Sequence, residues 1–154
     1  MSRAFVKEDS GEGIEDLPDR PISPHPNLVT IEGLEGIEKE VLRLNEAYAS
    51  AQSEGNRILL QRLARDLRYW SHRRQTAQIV EDPRDKNHIQ FGSRIRILRQ
   101  DGHSVLYRIV GEDEANPSTG TLSYVSPLAK ALMGKECGET INVHGNTFEI
   151  LEIL

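Results

Sequence analysis

The chain of 154 residues has one cysteine, few aromatic residues and no long apolar run. A single cysteine, Cys137, excludes an internal disulfide and a zinc site built from several cysteines, and this usage is typical of a reducing cytoplasm. No stretch of 18 apolar residues is present, and the N-terminus lacks the charged-then-apolar order of a secretory signal. We therefore expect a soluble, cytoplasmic protein that does not bind membranes.

The net charge and the motifs of the chain also argue against nucleic-acid binding, metal binding and catalysis. The net charge of −5 argues against nucleic-acid binding driven by overall charge. The histidines of the folded part have no paired helical spacing and no cysteine partners, so we expect no metal site in the isolated chain. The sequence contains no glycine-rich phosphate loop, nucleophile elbow or Ser/His/Asp arrangement, and we expect no independent catalysis.

Residues 1–26 are predicted to be a flexible tail, rich in acidic residues and proline. The segment has too few large apolar residues to offset the entropy cost of ordering it. Its apolar triplet Ala4-Phe5-Val6 could still pack on the folded part or on a partner.

Residues 27–82 are predicted to form an antiparallel helical hairpin, a coiled-coil finger. Two series of residues repeat with steps of three and four, which is the a/d pattern of a coiled coil. They are Leu34, Ile37, Val41, Leu44, Tyr48 and Ala51, and then Leu60, Leu63, Leu67, Trp70, Arg74 and Ala77. Between them Ser53-Glu54-Gly55-Asn56 predicts a turn, since Gly55 and Asn56 tolerate positive φ.

The two predicted helices differ in charge, because the first is mostly acidic and the second is rich in arginine. Ion pairs between the helices explain this pattern without a ligand. The alternative is an arginine-rich face that contacts nucleic acid, and both interpretations stay open.

Residues 83–154 are predicted to form a half-wrapped antiparallel sheet with one short helix, which makes the chain an α+β protein. Strands are expected at Arg94–Ile97, Val105–Val110, Thr121–Val125, Thr140–His144 and Thr147–Ile153, with turns at Asp101-Gly102 and Gly145-Asn146. A short helix should follow Ser126, which is suited to the N-cap, and Pro127, which suits the first helical position.

The order of these elements resembles the bacterial GreA/GreB family of transcription factors, from about residue 27 to residue 154. The segments that carry the resemblance follow one another along the chain: Leu28–Leu34 and Ala77–Asp82 at the two ends of the hairpin, then Phe91–Ile95, Tyr107–Gly111, Ser126–Leu132, Gly134-Lys135 and Gly138-Glu139.

The resemblance implies an FKBP-like fold for residues 83–154 and RNA polymerase as the partner. The family inserts its finger into the secondary channel of the polymerase, where indirect contact with nucleic acid is possible, and docks the second domain on the channel rim. Ser126, Pro127 and Lys130 match the docking element, but Val125 stands where the family often has an Asp. Because Val cannot form a charge-assisted hydrogen bond, docking is expected to be weaker or built differently.

The family's finger tip carries an Asp and a Glu that help hold a second Mg²⁺ in the polymerase active centre, so that backtracked RNA is hydrolysed. Here the tip is Ser53-Glu54-Gly55-Asn56, and Glu54 is its one acid. Glu54 is therefore the one candidate for assisting the shared Mg²⁺. With one acid missing, stimulation of transcript cleavage is expected to be weak or absent.

Two alternatives stay open. Short-fingered relatives of the family include Rnk-type regulators of nucleoside diphosphate kinase, which share the FKBP-like domain. A prolyl isomerase is the less favoured alternative, because its pocket needs clustered aromatic residues. Phe91, Tyr107, Tyr124 and Phe148 are instead spread over several strands, where core packing is their expected role.

Overall fold

The computed structural model describes residues 17–154, and most of the predicted tail, including Ala4-Phe5-Val6, lies outside this range. The described part divides into two compact units. The first contains residues 17–24 and 37–76, and the second contains residues 25–36 and 77–154. The predicted domain limits at residues 26 and 82 stay predictions. Within residues 17–154, no helix has the length and apolar character needed to span a membrane.

Two helices form the predicted hairpin. Helix α1 is Ile31–Glu54, with 24 residues, and helix α2 is Arg57–Thr76, with 20 residues. At about 1.5 Å per residue these helices are roughly 36 and 30 Å long. The hairpin prediction is confirmed, although α2 ends before Ala77.

The hairpin core follows the predicted a/d positions through most of its length. Leu44, Ala51 and Leu63 are buried together, with Leu60, Leu67 and Trp70 packed against them. The prediction fails at the end of α2, because Arg74 is exposed and Arg73 is buried at 2% exposure. Arg73 follows Trp70 by three residues and therefore lies near the same face of the helix, so the buried stripe continues with a step of three where a step of four was predicted.

A two-stranded parallel pair lies where the chain enters and leaves the hairpin. Strand β1, Leu28–Val29, pairs with strand β2, Gln78–Ile79. The N–H of Gln78 donates to the carbonyl of Asn27 at 2.8 Å, and the N–H of Val80 donates to the carbonyl of Val29 at 2.9 Å.

The remaining strands form one curled five-stranded sheet in the order β5-β4-β3-β7-β6. Their bounds are β3 Arg94–Leu98, β4 Ser104–Val110, β5 Thr121–Ser123, β6 Thr140–Val143 and β7 Asn146–Ile153. The fold class is confirmed, with one difference: β5 runs parallel to β4, so the sheet is mixed. A parallel neighbour requires a crossover connection, which residues 111–120 supply with a short 3₁₀ turn at Pro117–Thr119.

The two predicted hairpin turns are present. The first places Gly102 at φ +88° and closes with a hydrogen bond from the N–H of Arg99 to the carbonyl of His103 at 2.8 Å. The second lies one residue earlier than predicted, because His144 and Gly145 have positive φ and Asn146 already belongs to β7. Two successive residues with positive φ match the right-handed twist of the flanking strands.

Helix α3, Pro127–Leu132, contributes to the core of the sheet unit. The fully buried members come from the strands, from the segment before β3 and from α3: Ile89, Ile95, Ile97, Ile109, Ala129, Leu132 and Ile150. The four aromatic side chains lie in or against this packing, as predicted: Phe91 and Tyr107 are buried, Tyr124 and Phe148 are partly buried, and the Phe91 and Tyr124 rings meet edge to face at 5.6 Å.

Candidate functional site

The hairpin tip is held by two helix caps that share one residue. Gly55 has φ +70°, and its N–H donates to the carbonyl of Gln52 at 3.2 Å. The N–H of Asn56 donates to the carbonyl of Ala51 at 3.0 Å, which completes a Schellman motif at the end of α1. The side chain of Asn56 then accepts from the N–H of Leu59 at 3.2 Å and caps the start of α2. The tip is therefore a rigid two-residue turn.

This geometry places the four predicted tip residues in two groups. Ser53 and Glu54 belong to the last turn of α1, and only Gly55 and Asn56 form the turn itself. The Ser53 hydroxyl donates back to the carbonyl of Ala49 at 3.3 Å. Glu54 is exposed as the last residue of α1, so its carboxylate is presented at the extremity of the hairpin.

Asp66 cannot replace the missing second tip acid. It lies in the middle of α2, where its Oδ1 contacts the guanidinium groups of Arg20 at 3.4 Å and Arg65 at 3.6 Å. Among the described residues, no group of three or more His, Cys, Asp or Glu side chains is placed to hold a metal ion. Mg²⁺ prefers six oxygen ligands in near-octahedral geometry, and the Glu54 carboxylate would supply only part of that set.

Several ion pairs involve the described residues of the hairpin helices. Glu40 and Arg43 pair within α1 at 2.6 Å, and Arg65 contacts Asp66 within α2. Arg68 and Asp66 instead pair with residues of the segment before the hairpin. The charge difference between the helices is therefore not explained by these pairs alone.

The predicted docking element forms the capped helix α3. The Ser126 hydroxyl accepts from the N–H of Ala129 at 3.3 Å, and Pro127 occupies the first turn. Ala129 and Leu132 are fully buried and fix one face of the helix to the sheet core. Gly134 follows with φ +85° and donates to the carbonyl of Ile89 at 2.8 Å.

The opposite face of α3 is available for contact. Pro127 and Lys130 are exposed, and Met133 after the helix is 37% exposed. Val125, where a family Asp was expected, is partly buried. The structure thus brings Ser126, Pro127 and Lys130 together on one short element, while their role in docking stays a prediction.

A capping arrangement at the start of α1 was missed by the sequence analysis. Thr30 caps α1, since its hydroxyl oxygen accepts from the N–H of Gly33 at 2.9 Å. The carboxylate of Glu114 accepts from the Thr30 N–H at 2.9 Å and from the Thr30 hydroxyl at 2.5 Å. In a capping box this carboxylate belongs to the third helical residue. That residue is Gly33 here, so Glu114, 84 residues further along, supplies the missing group.

A charged cluster beside this cap was missed as well. Arg108 on β4 donates to Asp82 at 2.9 Å and to Glu32 at 3.2 Å, while Arg94 on β3 donates to Asp82 at 3.2 Å. The hydrogen bond from Arg108 lowers the pKa of Asp82, against the opposing effect of its partial burial. The pKa of Glu32 is also lowered, mainly by a hydrogen bond to its own backbone N–H and then, against partial desolvation, by Arg108. The cluster ties the first turn of α1 and the strand exit at Asp82 to the sheet.

The fold and the two exposed elements define a class of protein: a helical hairpin with a rigid tip, combined with a curled sheet domain that carries a Ser-Pro-capped helix. A family model described as "Transcription elongation factor, GreA/GreB, C-term" matches residues 84–154. Transcription elongation factor GreB of Pseudomonas putida is 30% identical over 142 residues, covering 80% of this chain and 88% of that protein. Transcription elongation factor GreA of Legionella pneumophila is 32% identical over 149 residues, covering 79% of this chain and 88% of that protein.

The chain belongs to the GreA/GreB family of transcription elongation factors. An alignment that covers 80% of the chain extends beyond residues 84–154 into the hairpin. Among solved structures, GreA factor homolog 1 of Thermus thermophilus aligns with 84% of this chain and 99% of that chain, at 18% identity and a TM-score of 0.41. A likeness at that score adds nothing to the assignment, which rests on the sequence relatives.

Proposed function

We propose that this protein binds RNA polymerase, in a bacterial cytoplasm, and regulates transcript elongation by placing the hairpin tip in the secondary channel. The observation that carries the proposal is the relationship to GreB and GreA over most of both chains. None of these relatives is named as a regulator of nucleoside diphosphate kinase, and no feature of the described residues favours that alternative.

The two exposed elements have different roles in the proposal. Helix α3 docks the sheet domain through Lys130 and the neighbouring exposed residues Pro127 and Met133. The hairpin tip reaches into the channel, and its two caps allow it to enter without the entropy cost of ordering a loop.

Occupation of the channel, rather than strong stimulation of RNA cleavage, is the proposed mode of action. A Mg²⁺ ion held by the polymerase would polarise the phosphate and activate water. Glu54 is the one tip carboxylate that could add an oxygen ligand to that ion. Asp66 is already paired with Arg20 and Arg65, and it lies in the middle of α2. With a single carboxylate, we expect cleavage to be weak.

Replacing Glu54 by Gln tests the tip assignment. The change keeps the shape of the side chain and removes its charge, so polymerase binding should persist while any stimulation of cleavage falls to the polymerase's own slow rate. The measurement is transcript cleavage in a stalled, backtracked complex, with Ser53→Ala as a matched tip control. Strong cleavage by wild type that persists in Glu54→Gln would refute the assignment.

A further inference from the structure

Residues 18–21, which precede β1, lie against one side of α2 and contact it through two ion pairs. The Asp19 carboxylate accepts from Nε of Arg68 at 2.6 Å, and Nη1 of Arg20 donates to the Asp66 carboxylate at 3.4 Å. Two adjacent residues of opposite charge thus meet two residues of opposite charge on α2. Since a slip of one residue would bring like charges together, these pairs fix the register of the segment on the helix.

An aromatic contact adds to this register. The Arg20 guanidinium lies over the Tyr69 ring, 4.0 Å from its centroid, and 5.8 Å from the centroid of Trp70. The two rings are themselves edge to face at 5.2 Å. A guanidinium at this distance over an aromatic face is a cation–π contact, so Arg20 makes both an ion pair and a ring contact.

The local sequence restricts part of the segment, including Arg20, before it docks. Pro18 and Pro21 bracket Asp19 and Arg20. Proline fixes its own φ and keeps the residue before it in extended conformations. Arg20 and the two prolines therefore lose less conformational entropy on docking than unrestricted residues would.

The contact is nevertheless weak enough to be reversible. Asp19 and Arg68 side chains are 71% and 52% exposed, and a cleft of about 120 Å³ remains between the segment and α2, lined in part by Ile22 and His72. Exposed ion pairs and cation–π contacts each contribute little in water. Together they favour the docked state by a factor on the order of ten.

We propose that residues 18–21 form a reversible strap that competes with RNA polymerase for the side of α2 formed by Asp66, Arg68 and Tyr69. The proposal rests on the proposed function, because a hairpin inserted into a channel is surrounded by its partner. The strap covers an arginine and an aromatic ring that the partner would otherwise contact. When the strap is docked on α2, the molecule cannot bind the polymerase through this side of the helix, so docking lowers the fraction of molecules able to bind.

Arg20→Ala tests the strap, since it removes one ion pair and the ring contact together. Trp70 is the only tryptophan, so its fluorescence in the isolated protein reports release of the strap. The dissociation constant for core RNA polymerase, at fixed salt, then reports competition. A tenfold preference for the docked state leaves about a tenth of the molecules undocked and able to bind the polymerase. Because the Asp19–Arg68 pair remains in Arg20→Ala, we expect affinity to rise severalfold, with about tenfold as the upper limit.

Two further variants separate the strap from general effects. Arg96→Ala is a matched control, because the Arg96 side chain is 40% exposed, pairs with Glu152 at 3.8 Å and lies in the sheet. This variant should leave Trp70 fluorescence unchanged, and it should not increase the affinity for the polymerase. Reversing the charges of the first pair, Asp19→Arg with Arg68→Asp, should restore docking that each single change abolishes.

The outcomes distinguish the two proposals. If wild type binds polymerase and Arg20→Ala binds equally or more weakly, the strap proposal is wrong and the contact only stabilises the hairpin. If charge reversal does not restore the Trp70 signal, the pairing is wrong. If neither wild type nor any variant binds, the proposed function fails, and the competition fails with it.

Discussion

Replacement of Gly33 by Ala should destabilise the protein although alanine is the better helix former. Gly33 lies in the first turn of α1, and a Cβ built there would collide with Oε2 and Cδ of Glu114 and lie 2.7 Å from Oε1. The Glu114 carboxylate is not free to move aside, because it accepts from the N–H and hydroxyl of Thr30 and from the N–H of Gly111.

The magnitude follows from two opposing effects. Alanine gains up to about 1 kcal/mol over glycine within a helix. Each hydrogen bond to a charged group contributes about 1.5–3 kcal/mol, and displacement of Glu114 should break at least two. We therefore expect the free energy of unfolding to fall by about 2 kcal/mol, which lowers Tm by roughly 4–8 °C in a chain of this size.

Gly36→Ala is the matched control in the same helix. A Cβ at Gly36 meets no atom within 4 Å, so this variant should gain up to about 1 kcal/mol. Thermal and urea unfolding followed by circular dichroism give both values.

A double-mutant cycle isolates the collision. In a Glu114→Ala background the obstacle is gone, and Gly33→Ala should become neutral or stabilising. If Gly33→Ala stabilises the otherwise wild-type protein as much as Gly36→Ala does, the capping role assigned to Glu114 is refuted.

Three further changes test the tip, the docking helix and the charged cluster. Gly55→Ala should cost about 1–2 kcal/mol, because Gly55 has φ +70° with no atom near its missing Cβ, so only backbone strain is added; stabilisation in urea unfolding would contradict the tip geometry. Ser126→Ala should lower the free energy of unfolding by about 1 kcal/mol through loss of the N-cap. Lys130→Ala should leave stability unchanged and weaken polymerase binding. If Lys130→Ala lowers stability and leaves binding intact, the docking role of α3 is wrong. Asp82→Asn should lower stability by about 1 kcal/mol at neutral pH. Because the native pKa of Asp82 is below its ordinary value of 3.8, its contribution is present above that pH and is lost as pH falls through the native pKa. Unfolding curves of wild type and variant should therefore converge in acid, and a constant difference would show that the pairing with Arg108 is not responsible.

Local patterns in the sequence were sufficient for the hairpin and for the five strands of the sheet, but not for the short pair of β1 and β2. The steps of three and four between Ile37 and Ala51 report one buried helix face, and Asp101-Gly102 reports a tight turn between two alternating segments. These signals involve neighbours along the chain, so one sequence contains them in full. The Ser126 cap is equally local, and its geometry was predicted for that reason.

Contacts between distant residues left no such signal. Glu114 caps a helix that begins 84 residues earlier, and in the sequence it is only one acid among others in a loop. The one indication in the sequence was Gly33, which stands at the position where a capping box has Glu or Gln. A glycine at this position leaves room for a carboxylate from another part of the chain. The parallel pairing of β5 and the burial of Arg73 depend on tertiary packing that periodicity does not specify.

Direct binding to core RNA polymerase tests the central claim. The purified protein should co-migrate with the core enzyme at low salt and should be displaced by a known secondary-channel factor, since both would occupy the same opening. Lys130→Ala should weaken this association, whereas Glu54→Gln should leave it intact. Absence of association at low salt, or binding that no secondary-channel factor displaces, would contradict the account.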